Sequence, residues 1–187
     1  MMKRLFDVVF SIVLLLILLL PIMLIAMVVK ATSVGKILYW SDRVGKDNVI
    51  FKMPKFRSMM SDTPATATHL LHDPKSTLTS IGDFLRKYSL DEFPQLWSIL
   101  KGDMSFVGPR PALFNQDDLV KLRSNKGVDK VVPGLTGWAQ INGRDELPIV
   151  EKVKMDAEYL ERQSFMFDLK ILWLTLLKVI KKDGVSH

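Results

Sequence analysis

The chain has 187 residues, enough for one domain with a substantial core and short additions. It has no cysteine, which excludes disulfides, zinc–thiolate sites and a cysteine nucleophile. A net charge of +6 favours anionic partners, and three scattered histidines leave oxygen ligands, hence magnesium, as the choice for any metal.

Lys3 and Arg4 precede an apolar run from Val8 to Val29 that only Ser11 and Pro21 interrupt. About 22 such residues are long enough to span a bilayer as a helix. A signal peptide fits poorly, because the run is long and no small-x-small cleavage site follows. Lys30 and Lys36 follow the run, so positive charge flanks both ends and gives no orientation. Pro21 removes an amide donor and clashes with the carbonyl of Ile17, which predicts a kink. On length alone, spanning is preferred to re-entrance.

Next, ILYWSDRV and NVIFKMPKFRSM flank Gly45-Lys46-Asp47-Asn48 and predict a β-hairpin. Lys55 and Arg57 alternate, so a strand would point both to one side. A solvated edge strand is preferred to a phosphate clamp. Residues 61–80 read as a loop or short helix, with His69 and His72 solvated rather than ligating.

Ile81, Phe84, Leu85 and Tyr88 recur at helical spacing. Ser89-Leu90-Asp91-Glu92 then matches a capping box, and Pro94 is tolerated in a first turn. Leu96, Trp97, Ile99 and Leu100 continue an apolar face that Gly102 is placed to end. Two readings of Asp91 and Glu92 stay open. The preferred one is structural, with acids complementing a helix dipole. In the other, carboxylates beside Arg86 and Lys87 serve phosphate chemistry, as nucleophile or proton acceptor.

Arg110 lies between Pro109 and Pro111, a rigid setting for a bidentate phosphate ligand or an ordinary surface arginine in a loop. Residues 116–131 predict a mixed-charge helix with a solvated face. PGLTGWAQINGR, 133–144, is glycine-rich but matches neither a P-loop nor a dinucleotide fingerprint. Residues 145–163 predict a polar helix with Asp156 solvated or helping a cation site. In 164–182, Lys170, Thr175, Lys178, Lys181 and Lys182 share one side of a helical wheel. That suits a helix lying in a membrane surface, and an amphipathic core helix equally.

KRLFD with its apolar run, KFRSM (55–59), SLDEFPQLWSILKGDMSFVGPRP (89–111), PGLTGWAQINGRD (133–145) and the terminal GVSH together resemble the bacterial sugar transferase family. These are small monotopic phosphoglycosyl transferases that begin glycan assembly on polyprenyl phosphate. The resemblance implies transfer of a sugar-1-phosphate from a UDP-sugar to undecaprenyl phosphate, with magnesium and release of UMP. It implies Asp91 as nucleophile and magnesium ligand, Glu92 as the group that activates the acceptor, and Arg110 as phosphate ligand. Lys55, Arg86 and Arg144 match basic positions around the diphosphate. It also implies an N-terminal helix that breaks at Pro21 and re-enters, although the family often has Ser-Pro where this chain has Leu20-Pro21.

The expected fold is therefore α+β and mainly helical. A re-entrant membrane helix, 1–34, precedes a cytoplasmic catalytic core, 35–187, with a small β-hairpin and interfacial helices including 164–182. The expected place is the cytoplasmic face of the bacterial inner membrane, with membrane lipid as a partner, no nucleic acid, and a homodimer left open. An N-acetylated deoxyamino sugar is the favoured donor group, with UDP-Gal, UDP-Glc or UDP-GalNAc as alternatives. The competing function is a non-catalytic, membrane-anchored basic interaction protein. That reading explains charge and anchor but not two prolines around Arg110.

Overall fold

The computed structural model describes residues 2–60, 63, 77–143 and 147–181, with backbone alone at 180 and 181. The expectations for His69, His72, Arg144 and residues 182–187 lie outside these residues. The fold is mainly helical, with two small sheets.

Helix α1 (Met2–Thr32) is unbroken and holds Pro21 inside it. At 1.5 Å per residue it is about 46 Å long. It is long and apolar enough to cross a membrane, and only 6% of its most apolar stretch is buried. One face packs on the body along its whole length. Phe6, Phe10, Leu14, Leu15 and Leu18 join a core with Leu96, Ile99, Phe106 and Ile171. Ile22, Ile25, Ala26 and Val29 join a second core with Phe56 and Leu85. The opposite face is bare, with Leu16 70% and Leu20 62% exposed. So much open apolar surface calls for lipid or another apolar cover.

Both ends of α1 are tied to the body. Lys3 Nζ donates to Asp168 Oδ2 at 2.6 Å and to the Val107 carbonyl at 2.9 Å. Arg4 donates to the carbonyls of Ile99 and Leu100 at 2.6 and 2.7 Å. It thereby closes the C-terminus of α3 (Leu96–Lys101) with charge of the favourable sign. Gly102 ends that helix at φ 101°, as its spacing predicts. At the other end of α1, Arg57 is buried and donates to the Val34 carbonyl at 2.5 Å and to Ser33 Oγ at 3.1 Å. Lys3 and Arg4 read as membrane-flanking charges; the structure uses them as fasteners.

The hairpin forms as expected. β1 (Leu38–Val44) pairs antiparallel with β2 (Ile50–Phe56), Tyr39 opposite Lys55 and Val44 opposite Ile50. Asp47 and Asn48 take left-handed conformations in the turn, φ 55° and 59°. Short polar side chains tolerate this best after glycine.

A second, parallel pair joins β3 (Ser105–Val107) to β4 (Gly134–Thr136), with α4 (Asp117–Asn125) in the crossover. Here backbone meets backbone. A Cβ on Gly134 would lie 2.1 Å from the Gly108 nitrogen, and one on Gly137 would lie 2.1 Å from the Gly108 carbonyl oxygen. The glycines of the 133–144 stretch thus seat the segment that carries Arg110.

α2 (Gly82–Lys87) precedes the site, α5 (Trp138–Ile141) follows β4, and α6 (Ile149–Arg162) and α7 (Phe165–Lys181) complete the body. Two expectations are corrected here. Asp156 is not on a solvated face: with Val153 and Tyr159 it forms the buried side of α6. On α7, Thr175 points inward and its Oγ1 lies 2.8 Å from Thr136 Oγ1. The outward stripe of α7 is apolar, with Met166 73% and Trp173 60% exposed, beside an exposed Lys170.

Candidate active site

The site is built where β2, the 3₁₀ segment Leu90–Gln95 and the 109–112 turn meet. Leu90, Phe93 and Leu96 recur every three residues and pack on the two cores. A period of three suits a 3₁₀ helix. Ser89 enters the segment at φ 53° and its hydroxyl makes no cap bond. The capping box expected from Ser89 and Glu92 is therefore not formed. Glu92 donates its amide to the Ser89 carbonyl at 3.2 Å, but its side chain turns elsewhere.

Glu92 Oε1 accepts from Lys55 Nζ at 2.8 Å and from Arg110 Nη2 at 2.9 Å. The Lys55 and Glu92 side chains are largely buried; that of Arg110 is about one-third exposed. The solvated-edge reading of Lys55 and Arg57 fails: the first joins the site and the second anchors α1. Burial works against a charged Glu92, but Arg110 and Lys55 outweigh it and hold the carboxyl well below the usual carboxylate range.

Asp91 is buried, and among the described residues no hydrogen bond or ion pair reaches its carboxylate. Burial pushes its pKa up, the Lys55 charge opposes this, and the Glu92 charge reinforces it. Arg86 and Arg110 also oppose the rise, so both sense Asp91. The Arg86 Nη1 lies 3.2 Å from Met59 Sδ. Two adjacent carboxyls are thus driven apart, one firmly ionised and one raised, a pattern typical of sites that divide roles between acids.

Arg110 is fixed from behind. Its carbonyl accepts from Arg123 Nη1 at 2.8 Å, and Arg123 binds Asp156 Oδ2 through Nε and Nη2 at 2.9 and 2.7 Å. Arg43 Nη1 donates to the Pro111 carbonyl at 3.2 Å. Sequence reading missed Arg123 as a site-building residue. The signal was present: Leu119 and Arg123 are four apart on one helical face, so this arginine falls on the apolar side. Burial costs Asp156 some acidity, with Arg123 opposing it.

The structure therefore brings together Asp91, Glu92, Lys55 and Arg110, with Arg86 near enough to act on Asp91. Pro21 lies elsewhere, inside α1. The arrangement offers a carboxylate with no hydrogen bond or ion pair among the described residues, beside cations that suit a phosphate.

The chain matches the family described as bacterial sugar transferase over residues 1–182. It is 40% identical over 189 residues to an uncharacterised sugar transferase, EpsL, of Bacillus subtilis, covering all of this chain and 91% of that protein. It is 40% identical over 187 residues to a UDP-glucose:undecaprenyl-phosphate glucose-1-phosphate transferase of Escherichia coli, covering 95% of this chain and 40% of the relative. It is 34% identical over 203 residues to an undecaprenyl-phosphate galactose phosphotransferase of Salmonella typhimurium, covering 98% of this chain and 41% of that protein. The chain thus spans about two-fifths of the longer relatives.

Proposed function

The chain belongs to the bacterial sugar transferase family, and we propose that it transfers a sugar-1-phosphate from a UDP-sugar to undecaprenyl phosphate, releasing UMP. The observation that carries the reading is the Asp91 carboxylate, without a hydrogen bond or ion pair among the described residues, next to Glu92, which Lys55 and Arg110 hold on one oxygen.

A carboxylate oxygen of Asp91 attacks the phosphorus that bears the sugar. The bond from that phosphorus to the bridging oxygen breaks, and UMP leaves with the oxygen. The sugar phosphate is now an acyl phosphate on Asp91. A phosphate oxygen of undecaprenyl phosphate attacks the same phosphorus, and Asp91 departs as carboxylate. Splitting the reaction lets a soluble donor and a lipid acceptor bind in turn. Lys55 and Arg110 hold the transferring phosphate oxygens, sharing them with or taking them from Glu92. Once Lys55 and Arg110 turn to the phosphate oxygens, Glu92 loses the charges that depress its pKa and accepts the proton of the incoming acceptor phosphate. Arg86 adds to the cationic surround, and a diphosphate-binding role for Arg144 rests on the family resemblance alone.

Magnesium fits this donor set. It commonly binds through one or two carboxylates plus substrate phosphates. Asp91 supplies one such carboxylate, and among the described residues no group of three or more acids or histidines would hold a metal without substrate. When bound, the ion would neutralise charge on the diphosphate and the leaving UMP.

The acceptor's phosphate lies at headgroup level. Polar anchors at both ends of α1, to one body, support both ends lying on the same face of the membrane, although the break expected at Pro21 is not formed. We place that face on the cytoplasmic side of the bacterial inner membrane, with α7 lying along it.

UMP release by detergent-solubilised protein, given undecaprenyl phosphate, magnesium and a panel of UDP-sugars, tests the reading. The named relatives put UDP-glucose and UDP-galactose at the head of the panel, before N-acetylated deoxyamino sugars. Release with one donor that EDTA abolishes is expected. Silence across the panel from folded protein would return weight to a membrane-bound interaction protein.

A further inference from the structure

The Pro109-Arg110-Pro111 turn leaves little freedom except at residue 110 itself. Proline fixes φ at 109 and 111, and a following proline restricts the residue before it. The two peptide planes flanking Arg110 are then each held by one donor. The Gly134 amide donates to the Pro109 carbonyl at 2.9 Å, and Arg123 Nη1 donates to the Arg110 carbonyl at 2.8 Å. With both planes held, the direction in which the Arg110 Cα–Cβ bond leaves the backbone is set, and from there its guanidinium meets Glu92 at 2.9 Å.

The first donor belongs to β4, at its first residue. The second requires Arg123, a buried charge on α4 whose other nitrogens are taken by buried Asp156 on α6. A buried ion pair is a poor stabilising device, because apolar residues of similar size often do as well. An apolar pair has no donor for the Arg110 carbonyl. A lysine, a point charge on a flexible stem, does not reproduce the three directed bonds of the guanidinium.

We infer that Arg123, oriented by Asp156, is a positioning residue that aims Arg110 at the transferring phosphate. This rests on the transferase reading. The double variant Arg123→Met/Asp156→Leu removes both charges together and is expected to fold. Its kcat/KM for the UDP-sugar should fall about 10- to 100-fold, mostly through KM, as expected of a misplaced clamp. Arg123→Lys keeps a charge for Asp156 and should recover stability but not kinetics. Wild-type kinetics in either variant would overturn the inference.

A second readout needs no turnover. Glu92→Gln should lower Tm by less in an Arg123→Lys background than in wild type, because Arg110 would no longer be aimed at Glu92. Equal shifts in the two backgrounds would overturn the inference whether or not the wild type is active. A silent wild type with a reduced shift would overturn the transferase reading while supporting the positioning role.

Discussion

Asp156 is a buried acid and Glu92 a largely buried one, both answered by cations, and they differ in what surrounds them. Arg123 covers Asp156 with two bonds on one oxygen, and both side chains are almost closed to solvent. Glu92 also gathers two bonds on one oxygen, but Arg110 is partly open and the neighbouring Asp91 has no partner among the described residues. A closed cluster of this kind acts only through what it holds in place, here the Arg110 carbonyl. An open one keeps an anion site ready, at the cost of a carboxyl that burial makes reluctant to ionise.

That contrast can be broken at its most sensitive point first. Asp91→Asn should lower UMP release by ~1,000-fold or more while leaving Tm unchanged or slightly raised, since a neutral amide bears less of the burial cost. Asp156→Ala should strike stability first, with a loss of about 3–5 kcal/mol in thermal or denaturant unfolding because buried Arg123 loses its counter-charge, and a smaller fall in UMP release than Asp91→Asn. Arg110→Ala should cost ~100-fold in kcat/KM, with a stability loss smaller than that of Glu92→Gln because Lys55 still pairs with Glu92. Lys3→Ala should cost about 1–2 kcal/mol, discounted for partial exposure, because Asp168 keeps its 2.7 Å bond from the Tyr159 hydroxyl. Lys52→Ala breaks an exposed pair with Asp42 and should stay within about 0.5 kcal/mol.

The same contrast marks what the sequence made legible. Local chemistry could be read directly: the turn at Gly45–Asn48, the stop at Gly102, and an arginine stiffened by prolines. The adjacency of Asp91 and Glu92 was visible, but the spacing that suggested a capping box says nothing about where the Glu92 side chain turns. Its partners lie 37 residues before it and 18 after it. Lys55 looked solvated for the same reason. Arg123 and Asp156 meet across 33 residues, and each is the buried charge of a helix whose other charges are exposed or partly exposed. Thr175 shared a wheel face with lysines, yet its hydroxyl found Thr136 inside the body. Long-range pairing therefore decided which charges became site, fastener or surface. The family motifs singled out the acid pair and Arg110 before any pairing could be seen.

The most direct test of the central claim is the intact mass of purified protein incubated with its UDP-sugar and magnesium, without lipid acceptor, followed by mapping of the modified peptide. The account predicts a gain of one sugar phosphate on the peptide containing Asp91, lost on adding undecaprenyl phosphate and absent in Asp91→Asn. Turnover to lipid product with no adduct, or with an adduct on another residue, would contradict it.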